Sequence, residues 1–138
     1  MVNLFINAPV VVEAGDNVQF TSSRAATKNS LCCNSGWLGF GVGSGLIQLT
    51  KGGIYKVDFA AQITAEAAGD AEFALTVNGE LLAGTQMGAT LTAAGLATIS
   101  TTALIPVDCG GSLTVSVRNI GDTDVTVNAA TLTVTRVA

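Results

Sequence analysis

The sequence predicts an all-β protein, an antiparallel sandwich of about eight short strands. Three observations carry that expectation. No segment holds apolar residues at i, i+3, i+4 and i+7 over three turns, so no helix has a face to bury. Threonine and valine, which favour a pleated backbone, are abundant, and so is glycine with 16 residues. Apolar residues instead recur at every second position, in short runs bounded by turn-forming residues.

The N-terminal half is the less regular part. Pro9–Glu13 and Asn17–Thr21 read as short strands around Ala14-Gly15-Asp16, and Leu46–Thr50 as another. Between them Ser22–Gly45 loses all period; it holds Cys32, Cys33, Trp37, Phe40 and glycines at 39, 41, 43 and 45. From Ile54 to Thr64, Tyr55, Val57, Phe59, Ala61 and Ile63 alternate with mostly polar neighbours, which makes a half-buried strand. From Ala71, Phe73, Leu75 and Val77 point inward and Glu72 and Thr76 outward, up to Asn78-Gly79. That pair favours a tight type I′ turn, and a hairpin arm over Glu80–Ala83 follows.

Leu96–Val107 reads as a long strand ending near Pro106, with Ile99, Ala103, Ile105 and Val107 on one face. After a turn at Cys109-Gly110-Gly111, Leu113, Val115 and Val117 alternate with Thr114, Ser116 and Arg118, and Asn119–Asp122 turns again. In the last segment the apolar parity shifts from Val125 and Val127 to Leu132 and Val134. A bulge or bend at Ala129-Ala130 would restore the inward face and leave Thr131, Thr133 and Thr135 as a hydroxyl row on the other side.

At 138 residues and 13.9 kDa the chain has room for one domain, residues 1–138. Charged residues make up 12 %, against about 25 % in an ordinary domain. A folded surface of roughly 6,700 Å² then carries one charge in about 400 Å². Such a surface is expected to be covered by copies of the same chain. A net charge of −4 with six scattered basic residues argues against nucleic acid as a partner. The chain has no histidine, which removes the commonest general base and metal ligand. No signal-like or membrane-spanning apolar run is present, so a soluble product with no membrane partner is expected.

The remaining constellations have plain readings. Gly39–Gly45 has glycines at alternate positions but no lysine in the place a phosphate-binding loop requires, and a strand follows it rather than a helix. Cys32, Cys33 and Cys109 match neither a C-x-x-C pair nor a four-ligand zinc set; they read as free thiols, with a bridge from Cys109 to one of the pair left open. Asp122 and Asp124, and separately Glu66, Asp70 and Glu72, read as solvated turn carboxylates, with an incidental hard cation as the other reading. Trp37 and Phe40 are either packing residues or an exposed ligand patch. No catalytic, cofactor or metal residue is assigned, and no enzyme is expected.

Five stretches taken together carry a likeness: Gly45–Leu49, Gly53-Ile54-Tyr55-Lys56-Val57-Asp58-Phe59, Leu75–Gly79, Gly111–Asn119 and Ala130–Val134. In order and spacing they resemble the trimeric jelly-roll modules of the tumour necrosis factor and complement globular-head type, and especially their bacterial and phage relatives. The resemblance covers roughly residues 45–138. It implies a jelly-roll sandwich and a homotrimer, with Tyr55, Phe59, Phe73, Val115 and Leu132 as core or trimer-axis anchors. It also implies a structural role, as a capsid decoration or head-fibre module on a virion assembled in a host cytoplasm. Residues 1–22 would be an attachment segment to a capsid or other particle protein, and 23–45 an irregular glycine-rich loop. A spore-surface trimer, or one that recognises host-surface glycans, is the alternative setting. No Gly-X-Y tract is present, so no collagen-like stalk is encoded in this sequence.

Overall fold

A computed structural model describes residues 2–6, 8–24, 38–40, 45–93 and 95–138, and among these all regular structure is β. In chain order the strands are β1 (Val2–Ile6), β2 (Val10–Val12), β3 (Ser22–Arg24), β4 (Leu38–Phe40), β5 (Ile47–Leu49) and β6 (Gly53–Thr64). They continue with β7 (Gly69–Val77), β8 (Glu80–Leu81), β9 (Met87–Leu91), β10 (Ala97–Val107), β11 (Leu113–Asn119) and β12 (Val125–Arg136). Two antiparallel six-stranded sheets result. The first is ordered β10-β6-β12-β1-β3, with β2 sharing the β1 edge of β12. The second is ordered β4-β5-β11-β7-β8, with β9 beside β8 on β7.

The core lies between the sheets because each long strand keeps one apolar parity. On β6, Tyr55, Val57, Phe59, Ala61 and Ile63 are all buried, opposite Ile47, Leu49, Phe73, Leu75, Val115 and Val117 of the second sheet. Phe59 meets Phe20 edge-on, with centroids 6.2 Å apart and planes at 78°. The parity shift in β12 is a bulge between Val127 and Ala129 against β6, after which Ala130, Leu132 and Val134 face inward. Asn78 and Gly79 have φ of 52° and 85°, the left-handed pair of a type I′ turn.

Several expectations are corrected. Within the stretch read as an attachment segment, β1 lies between β12 and β3, and Leu4, Ile6, Val12, Val18 and Phe20 are buried. No strand was expected at Val2–Ile6 or at Met87–Leu91. Asn17–Thr21 is no strand but a crossover. Its Asn17 bridges Arg118 and its Val18 amide donates to Val117 of the second sheet, while the Thr21 amide donates to Phe5 of the first. Its side chains still alternate, Val18 and Phe20 buried and Gln19 and Thr21 exposed, so a segment that changes sheets reads in sequence as a strand. The loop expected over 23–45 includes the end of β3 and all of β4, both edge strands of three residues, too short to show alternation. The second hairpin arm stops at Leu81 instead of Ala83.

Thr76 and Ser116, expected to face solvent, are 1 % and 3 % exposed. They sit opposite each other in the β7–β11 register, and their hydroxyls hydrogen-bond, which is how two polar side chains tolerate burial. Asn119, expected in a turn, ends β11 fully buried. Its amide nitrogen donates to the Val12 and Thr123 carbonyls and its oxygen accepts from the Gly121 amide.

Candidate functional site

The site of interest is the outward face of the first sheet, made by the residues that alternate with the core positions. Register sets its rows. Thr98, Gln62 and Ala129 line up across β10, β6 and β12; Ser100, Ala60, Thr131 and Phe5 follow, the last from β1. Next come Thr102, Asp58, Thr133 and Asn3, then Leu104, Lys56 and Thr135, and finally Pro106 and Ile54. The face is built of small and hydroxyl side chains with a few exposed aliphatic ones, Ile54 at 40 % and Leu104 at 63 %.

Among these residues only Lys56 and Asp58 are charged, and they face each other with Nζ 3.9 Å from Oδ2. Side-chain hydrogen bonds tie the strands on this side. The Thr102 hydroxyl donates to Asp58 Oδ1 at 2.6 Å, the Asn3 amide to the Thr133 hydroxyl at 3.1 Å and the Asn128 amide to the Thr64 hydroxyl at 3.4 Å. Beside the bulge, Ala60, Gln62, Thr98, Ala129 and Thr131 surround a shallow depression. β10, β6, β12 and the short β1 have 11, 12, 12 and 5 residues, and at about 3.3 Å per residue and about 4.8 Å between strands they span roughly 630 Å². That footprint is at the low end of the roughly 600–1,000 Å² each partner commonly contributes to a stable interface. The surface is low in charge, and hydroxyl side chains are spread among small and apolar ones across it.

The anchors expected from the sequence in the core or at an axis lie in the core. Tyr55, Phe59, Phe73, Val115 and Leu132 are each at most 2 % exposed within one copy, all on the parity that faces the opposite sheet. They are anchors of the core, one of the two places expected for them. Tyr55 donates its hydroxyl to the Lys51 carbonyl at 2.6 Å; burial pushes its pKa up, opposed by the Arg136 cation and by that hydrogen bond. Trp37 lies outside the described residues, as do Cys32 and Cys33. Phe40 is placed only by its backbone, opposite Ile47 in β4. Cys109 is exposed in its turn.

At the end of the sandwich where β6 stops and β12 begins, Glu66, Asp122 and Asp124 line a cleft of about 450 Å³ together with Val11 and Thr126. Asp124 Oδ1 accepts from the Ala14 amide at 3.1 Å. Among the described residues no three acidic or cysteine side chains are arranged to hold a metal ion. Sequence reading did not single out the outward parity, since threonines alternating with a core read as ordinary solvent-facing residues. The signal available was their lack of charge, two charged positions in five rows.

No protein-family model matches the chain, and none of the curated proteins does. Solved structures do. The globular domain of a zebrafish complement 1qA protein is 13 % identical with a TM-score of 0.68, over 99 % of this chain and 96 % of that one. Eiger TNF from S. frugiperda is 12 % identical with a TM-score of 0.69, over 100 % and 92 %. Murine APRIL at pH 5.0 is 11 % identical with a TM-score of 0.54, over 92 % and 96 %. The fold is therefore a jelly-roll β-sandwich of the kind these domains share.

Proposed function

We propose that this chain is a non-catalytic structural module that assembles as a homotrimer through the outward face of its first sheet. The observation that carries the proposal is the face itself: a four-strand surface of interface size, with one mutually neutralising ion pair and no other charge in its rows. Away from that pair the surface is uncharged and easy to desolvate, and its small side chains let a second backbone approach. The likeness in fold to complement and TNF domains supports the trimeric form. Replacing Ala60 with Glu introduces a charge in the middle of the face, at an exposed position that the core does not use. Sedimentation equilibrium should then report a monomer with unchanged far-UV circular dichroism; a variant that sediments like the parent protein would contradict the assignment of this face.

The setting proposed is a particle surface, that of a phage virion, with the trimers displayed outward. It rests on the resemblance of residues 45–138 to bacterial and phage modules. Immunogold labelling of virions and spores from the source of the sequence tests it. Gold on virions is expected, whereas gold on spores alone, or on neither, would contradict it.

A further inference from the structure

The face just described contains a feature its small side chains do not explain. Lys56 and Asp58 are two residues apart on the same side of β6, in the middle strand of the three longest, and they are the only charges in its rows. Within one copy the pair is poorly made. The Nζ to Oδ2 distance of 3.9 Å is well beyond the roughly 2.7–2.9 Å of a charge-assisted hydrogen bond. Asp58 is also oriented: the Thr102 hydroxyl holds Oδ1 at 2.6 Å, which leaves Oδ2 as the oxygen open to a cation. Both side chains are close to half exposed, 49 % and 42 %, so each has room to swing outward.

We infer that Lys56 and Asp58 exchange partners between copies, Lys56 of each subunit pairing with the Asp58 Oδ2 of the next. The inference rests on the face being the contact between subunits. Placing a loosely paired lysine and aspartate under a second copy removes their water, which costs more than a 3.9 Å pair returns. A second copy presents the complementary charges on the same strand. In a closed ring each subunit gives its lysine forward and receives one from behind, so every charge is matched and none is left over. The pair then selects this chain over other flat, hydroxyl-rich surfaces, since only a partner with both charges at this spacing satisfies the two sites.

Sedimentation equilibrium on the full chain tests this with Lys56→Gln, Asp58→Asn and the exchanged double variant K56D/D58K, each checked for folding by circular dichroism. Either neutral variant should associate at least ~10-fold more weakly than the parent, and the double variant should recover most of that loss. Lys56→Asp and Asp58→Lys, each placing like charges on the face, give a second measurement. Mixed in equal amounts they should associate more strongly than either alone, because the attraction between them exists only across chains. Neutral variants that bind as tightly as the parent, or a mixture no better than its components, would overturn the exchange while leaving the self-association face standing. A parent protein that stays monomeric would overturn both.

Discussion

Truncation of Phe59 to alanine probes the packing between the two sheets. The side chain is 2 % exposed, sits on β6 between β10 and β12 of the first sheet and meets Phe20 edge-on at 6.2 Å. Removing a buried phenylalanine ring costs about 3–5 kcal/mol, of which the transfer term and the residual cavity are both parts. The ring pair adds about 1 kcal/mol beyond burial, which places the expected loss near 4 kcal/mol. For a domain of this length each kcal/mol moves the midpoint by roughly 3–4 °C, so the melting temperature should fall by about 12–16 °C. Thermal melts at one fixed protein concentration measure it, with Phe20→Ala and the double variant completing a cycle whose coupling should be about 0.5–1.5 kcal/mol. A midpoint lowered by less than about 3 °C would refute the assignment of odd β6 positions to the core.

Four further substitutions have defined outcomes. Asn119→Ala strands the Gly121 amide and two carbonyls, and should lower the urea-unfolding free energy by about 2–4 kcal/mol; a loss under about 0.5 kcal/mol would mean those groups find other partners. Gly53→Ala should destabilise by about 1–3 kcal/mol, because φ is +147° and an added Cβ would lie 2.6 Å from the Ala138 carbonyl oxygen. Gly110→Ala, also left-handed but with nothing near its Cβ position, should cost less in the same melts. Tyr55→Phe bears on pH. The folded-state pKa of Tyr55 is raised by burial, so its protonated form contributes stability that is complete below the unfolded value near 10 and is lost as pH rises through the folded one. The parent should therefore lose stability above about pH 10 more steeply than Tyr55→Phe; parallel pH profiles would count against a desolvated hydroxyl.

How far the sequence could be read depended on strand length. β6, β10 and β12 are each 11 or 12 residues long, so their alternation ran far enough to show the inward face and even the bulge at Asn128. β3, β4 and β8 have two or three residues each, and a period of two cannot be seen in so few. Thr76 and Ser116 were misread because a hydroxyl satisfied by another hydroxyl is indistinguishable, in sequence, from one facing water. For the site, the low charge pointed to a covered surface, and the large apolar residues were expected either in the core or at an axis. Those had already been claimed by the opposite sheet. A sequence shows which residues share a parity; it does not show which parity a second copy covers.

The most direct test of the account is the mass of the purified chain in solution, by light scattering coupled to size exclusion. The account predicts about three times 13.9 kDa. A mass of 13.9 kDa that holds across a wide concentration range would contradict it.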